Sequence, residues 1–124
     1  MTGAKPPALR FTRSQRLLNP PQFSAVYETR QRVVDECFSI NAARNTLGYP
    51  RLGLSIGGKA VGNSVARNRV KRQVRESFRR EAENLPAMDL VVGARNGARS
   101  AHNARLRESL AALWTEIRKR CAQS

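Results

Sequence analysis

Half of the side chains between residues 67 and 80 can hold an anion. The stretch reads RNRVKRQVRESFRR, with seven lysines and arginines against one acid in fourteen positions. An arginine forks two donors onto one phosphate and stacks flat on a base, so six arginines and Lys71 gathered here suit a nucleic acid backbone. Asn68 is the uncharged member of the group. It could bond a base edge or a ribose hydroxyl, or cap local backbone, and the pattern leaves both open.

The spacing of the apolar residues assigns this stretch to a helix. At about 100° per residue, with Arg67 at zero, Val70, Val74 and Phe78 fall near 300°, 340° and 20° in one narrow stripe. Lys71, Arg75, Asn68, Arg79 and Arg72 fall between about 40° and 140°, and Glu76, Arg69 and Arg80 lie further round. One side is buried and the adjoining side is cationic. Like charges at Arg67, Lys71 and Arg75, four residues apart, destabilise an isolated helix. Retaining them implies an anionic partner rather than a merely solvated face.

Catalytic chemistry by the protein itself finds little support. A protein-only nuclease needs a carboxylate cluster or an acid–base pair such as His with Lys. His102 is the sole histidine and Asp35-Glu36 the sole adjacent acidic pair, so no catalytic residue and no metal site are assigned. Cys37 and Cys121 lack metal-ligand spacing and read as free thiols in a reducing, cytoplasmic setting.

Helices and strands must position these residues. Residues 1–15, with Lys5, Arg10 and Arg13, read as a basic, partly disordered arm, and residues 16–120 as one domain with a short tail at 121–124. Asn19 and Pro20 open a helix to about residue 29, with Gln22 at the capping-box position and Phe23, Val26 and Tyr27 on one face. Period-two alternation follows: a short strand at 32–34, a second at 37–44 with Phe38, Ile40 and Ala42 opposite Cys37, Ser39 and Asn41, and a third at 51–56. The turn at 46–50 predicts that the second and third strands form a hairpin. Asn63 or Ser64 caps the basic helix, which runs to about residue 83. Leu90-Val91-Val92 predicts a central, buried strand over 89–94. A basic loop, 95–99, precedes a last helix capped by Ser100, whose stripe is Leu106, Leu110, Leu113 and Ile117 with Trp114 on the flank. By composition Phe23, Tyr27 and Phe38 read as core, with Tyr27 the most exposed of them.

Charge bounds the partner. With 23 basic against 9 acidic residues in 124, the formal net charge is +14. Nucleic acid, an anionic membrane and an acidic protein would all complement it, and nucleic acid is favoured because binding releases condensed counterions. No apolar run approaches the roughly 20 residues that span a bilayer.

The segment Arg67-Asn68-Arg69-Val70-Lys71-Arg72, continued by Arg75-Glu76-Ser77-Phe78-Arg79, resembles the RNR signature helix of the bacterial ribonuclease P protein family. Arg16-Leu17-Leu18 with Gln22-Phe23, residues 49–56 and residues 85–92 resemble the flanking elements, so the likeness covers about 10–120. It implies an α+β fold, an α-β sandwich in the order αβββαβα whose small, mainly antiparallel sheet is packed by helices, with a left-handed crossover around the RNR helix. It implies a protein subunit that binds a catalytic RNA and the 5′ leader of precursor tRNA, one protein to one RNA, monomeric alone and with no membrane. The RNA performs the hydrolysis and holds Mg2+, and the protein binds no cofactor of its own. By position, Arg67, Asn68, Arg69, Lys71, Arg72, Arg75, Arg79 and Lys59 match RNA-binding positions. Phe23, Tyr27, Phe38 and Asn41 match a cleft for the leader, which reverses the core assignment of the aromatics. Gly58, where the family has a second lysine, is a departure. A structural RNA-binding protein of ribosomal type is the alternative; composition and the basic helix fit both.

Overall fold

The computed structural model describes residues 20–29 and 31–123, with side chains as far as residue 120. The basic arm, Asn19, the segment 16–18 and the side chain of Cys121 lie outside the described residues. The elements run α1 (Pro20–Glu28), β1 (Gln31–Val34), β2 (Phe38–Arg44), β3 (Arg51–Ser55), α2 (Gly58–Val61), α3 (Ser64–Glu81), β4 (Met88–Ala94), α4 (Gly97–Ser100) and α5 (Asn103–Gln123), with a 3-10 turn, Ala82–Asn84, after α3. This is the expected order with two single helical turns, α2 and α4, added.

The sheet order is β1-β2-β4-β3. β1 and β4 flank β2 antiparallel, while β3 lies parallel to β4, with Leu52 beside Leu90 and Leu54 beside Val92. The expected β2–β3 hairpin is therefore wrong. Both strands are present, but β4 inserts between them, because the apolar run 90–92 buries both of its faces only at the centre. The chain crosses from β3 to β4 through α2 and α3.

Strand parity divides the core. Phe38, Ile40, Ala42, Leu90 and Val92 face α3 and α5, and join Val70, Val74, Phe78, Leu106, Leu110, Trp114 and Ile117 in one cluster. On the other face α1 lays Val26 against Val91, with Phe23 and Ala43 beside them. The single proton of the Thr29 hydroxyl is shared between the carbonyls of Val26 (2.8 Å) and Ala42 (2.6 Å), fastening the end of α1 to β2. The stripes expected on the RNR helix and on the last helix are both fully buried. The two helices meet where the Phe78 and Trp114 rings stand edge to face at 6.1 Å and Trp114 Nε1 donates to Ser77 Oγ at 2.7 Å. Asn63 caps α3, its side chain accepting from Ala66 N at 2.9 Å. Ser100 does not cap the last helix: it ends α4, and α5 begins at Asn103. Cys37 breaks the predicted alternation and is buried, because it lies in the turn before β2 rather than in the strand.

That turn is tightly held. Asp35 Oδ1 accepts from the backbone N–H of Cys37 at 2.8 Å and of Phe38 at 2.9 Å, while Ser109 of α5 donates to Oδ2. Arg95 Nη1 donates to Asp35 O at 2.8 Å and Gly97 N to Glu36 O at 3.0 Å. Gly97 is obligatory here: a Cβ would lie 2.4 Å from Glu36 O. Burial pushes the Asp35 carboxyl up, but the Ser109 hydroxyl, the two backbone donors and Arg105 outweigh it and hold the group below its ordinary value of 3.8.

Phe78→Ala is expected to cost about 3–5 kcal/mol, read from the urea midpoint, because it opens the contact among α3, α5 and the sheet. With its pKa depressed in the folded state, Asp35 contributes stability that is full above the unfolded value and lost as pH falls through the folded one. Below about pH 4 the protein is therefore expected to lose stability more steeply than its Asp35→Asn variant. Parallel losses over that range would show that this turn is not the acid-sensitive element.

Candidate nucleic-acid interface

Three directions around α3 are occupied. The Val70, Val74 and Phe78 stripe meets the sheet and α5. On the next side Arg69 Nη1 donates to Ala101 O at 3.1 Å and to Asn103 Oδ1 at 2.9 Å, and Nη2 reaches Ala98 O at 3.4 Å. This guanidinium, matched by position to RNA binding, is engaged in tying α3 to the connection between α4 and α5. Further along, Glu76 pairs with Arg79 one turn later, and Glu81 with Arg118 of α5 at 3.2 Å.

What remains free is the cationic flank the helical wheel isolates. Asn68, Arg72 and Arg75 are exposed, and Arg67 and Lys71 are half-buried. Among the described residues, neither Arg72 nor Arg75 forms an ion pair. Val65, on the first turn of the same helix, is 77% exposed. It shares a shallow groove of about 320 Å³ with Asn68, Arg72 and Asn103. Val65 was not among the residues expected to bind. The signal available was an apolar residue standing off the buried stripe, two residues past the cap. Lys59 is exposed on α2.

The second candidate surface lies across the sheet. Phe23 is half-buried under α1, Tyr27 is 44% exposed beside it, and Asn41 of β2 is half-buried on the same face of the sheet. Phe38 is not among them. It has the parity of Ile40 and Ala42, so it points to the face under α3 and α5, and none of its surface is exposed. The placement of Phe38 in the cleft is therefore corrected: it is core. On the cleft face, Arg51 grips Asp89 through Nε and Nη2 at 2.8 and 2.7 Å, and Asn45 Nδ2 donates to the same carboxylate at 2.8 Å. The bond to Asp89 also raises the Arg51 pKa against the effect of burial.

Both acids of the adjacent pair are occupied structurally: Asp35 holds its turn, and Glu36 pairs with Arg105 at 3.0 Å. Burial, followed by the charge of Asp35, pushes the Cys37 thiol up, away from the reactive thiolate. Among the described residues no three of His, Cys, Asp and Glu gather where they could hold a metal. No described helix is long and apolar enough to cross a membrane. A larger groove of about 610 Å³ is lined by Arg44, Asn45, Leu85, Pro86, Ala87 and Arg118.

A four-stranded sheet with an anchored, one-sidedly cationic helix on one face and α1, with half-buried Phe23 and exposed Tyr27, on the other defines a basic α+β RNA-binding protein. The family description "Ribonuclease P" matches residues 11–118. The ribonuclease P protein component of Escherichia coli is 44% identical over 106 residues, 86% of this chain and 89% of that one. That of Idiomarina loihiensis is 38% identical over 117 residues, 94% of each. The Staphylococcus aureus RNase P protein superposes with a TM-score of 0.77 at 29% identity over 83% of this chain and 94% of its own. The Thermotoga maritima RNase P protein, solved with 1-(4-fluorophenyl)-2-thiourea, gives 0.69 at 31% over 75% and 91%. This chain belongs to the ribonuclease P protein family.

Arg69→Ala is expected to lower stability by about 1–3 kcal/mol, since it strips partners from partly buried carbonyls. Arg75→Ala should change it by less than about 0.5 kcal/mol. Urea unfolding compares the two, and equal losses would remove the clamp assigned to Arg69.

Proposed function

We infer that this chain is the protein subunit of ribonuclease P, which binds the catalytic RNA and the 5′ leader of precursor tRNA and promotes endonucleolytic removal of the leader. One observation carries the reading: in a member of this family, α3 is fixed by its apolar stripe and by Arg69, while Lys71, Arg72 and Arg75, beside exposed Asn68, meet no carboxylate among the described residues. A helix fixed in this way presents its guanidiniums without first losing the freedom of the backbone, and each phosphate met releases counterions. Arg67 and Lys59 extend that contact towards α2. Arg79, paired with Glu76, contributes at the margin, and Arg69 acts through the α4–α5 connection.

The cleft between α1 and the sheet takes the leader in this reading. Tyr27 offers an exposed ring for stacking an unpaired base, Phe23 supports it, and Asn41 supplies polar groups beside it. The protein holds RNA and the RNA subunit carries out the hydrolysis, with Mg2+ supplied through the RNA. Asp35, Glu36, Glu76, Glu81, Asp89 and Glu116 are engaged in ion pairs or a turn, which supports a binding role rather than a nuclease site. One protein pairs with one catalytic RNA in the cytoplasm, residues 16–120 act as a single domain, and the isolated protein is a monomer.

Adding the purified protein to the catalytic RNA is expected to stimulate precursor tRNA cleavage at low magnesium. No stimulation would favour a ribosomal-type binding role instead, and cleavage without RNA would favour a protein nuclease. Replacing Lys71, Arg72 and Arg75 together by Ala should weaken RNA binding and flatten the log–log salt dependence by about 2 units. Tyr27→Ala should chiefly affect substrates that carry a leader. Equal loss by both variants on leaderless tRNA would collapse the two surfaces into one.

A further inference from the structure

The single turn α2 is bracketed by glycines. Gly62 N donates to Gly58 O at 2.8 Å, closing the turn, and Gly62 holds φ at +112°, a conformation other residues avoid. Neither glycine has a side chain to cover the turn, and two guanidiniums lie alongside it. Arg67 Nη1 lies 4.0 Å from where a Cβ on Gly58 would stand. Arg99 places Nε, Cζ and Nη2 3.8 to 3.9 Å from the corresponding point on Gly62. Lys59 is exposed on the turn between them.

These cations come from three different elements. Lys59 is on α2, Arg67 opens α3, and Arg99 belongs to α4. The place of α4 is fixed independently: Ala98 is fully buried, Gly97 fits only as glycine against Glu36 O, and Arg69 grips the carbonyls of Ala98 and Ala101. The fold thus brings Arg99 to α2, although it is remote in sequence. Five arginines of this chain, Arg51, Arg79, Arg105, Arg118 and Arg120, each meet a carboxylate. Among the described residues Lys59, Arg67 and Arg99 meet none. Two guanidiniums gathered at a turn that also carries an exposed lysine, with no counter-charge among the described residues, repel one another, and an external anion relieves that repulsion.

We propose that Arg99, with Lys59 and Arg67, forms a phosphate-binding site for the RNA backbone, separate from the flank of α3 that carries Lys71, Arg72 and Arg75. Arg99 lies outside the signature helix, and the site adds a contact contributed by α4, after β4. The inference rests on the reading of this chain as a subunit that binds the catalytic RNA.

The test is titration of the full-length protein onto the catalytic RNA over a range of salt concentrations. It compares the unsubstituted chain with Arg99→Ala, Arg99→Gln, Arg99→Lys and, as a charge-matched control, Lys119→Ala at an exposed position on α5. Thermal unfolding of each variant confirms that it is folded. Arg99→Ala and Arg99→Gln should weaken binding and reduce the log–log salt slope by about 0.7–0.9, the share of one phosphate contact. Arg99→Lys should keep most of the slope, and Lys119→Ala all of it. If folded Arg99→Ala and Arg99→Gln bind with unchanged slope, the site is wrong while the subunit role stands. If the unsubstituted chain binds the catalytic RNA no better than an unrelated RNA, the role itself fails, and the site with it.

Discussion

The fold depends on holding one helix dry on one side and cationic on the next. Val70, Val74 and Phe78 have to contribute enough burial to outweigh the mutual repulsion of Arg67, Lys71 and Arg75 on the adjoining side. They can do so because α5 meets them with an equally continuous stripe and with Trp114, whose ring and indole N–H are both satisfied by α3. The sheet below supplies a flat apolar floor of alternating residues from β2 and β4. Loss of any of the three layers would leave a charged helix without the contacts that keep it in place.

Helical periodicity made much of this legible. The stripes of α3 and α5 are local patterns, and so is the cap at Asn63. Strand parity was legible too, since Phe38, Ile40 and Ala42 do share a face. Pairing was not. A six-residue connection between two alternating segments suggests a hairpin, but the partner that separates β2 from β3 arrives more than thirty residues later and leaves no local trace. Phe38 shows the same gap from the other direction. Its own parity with Ile40 and Ala42 pointed to the core, and only the positional match drew it into the cleft.

The arginines divide by what their neighbours offer, which sequence alone does not display. Arg69 and Arg72 are three residues apart in one motif, yet the first spends its donors on carbonyls of the α4–α5 connection while the second faces outward. Sequence treats them as equivalent cations, and the fold makes one a fastener and leaves the other free. The acids follow the same logic. Asp35, Glu36, Glu81 and Asp89 sit where they join one element to another, so the excess positive charge is concentrated on what they leave uncovered.

The insertion of β4 between β2 and β3 also constrains the order of events during synthesis. When residue 60 leaves the ribosome, β1 and β2 can already pair, but β3 has no neighbour among the described strands until β4 follows it. The parallel contact then has to close a loop that includes the whole of α3, a non-local step of the kind that slows folding. Until then the unpaired backbone edge of β2 and both edges of β3 remain open to other chains. A nascent chain of this protein is therefore most vulnerable to misassociation in the interval between the appearance of β3 and the completion of β4.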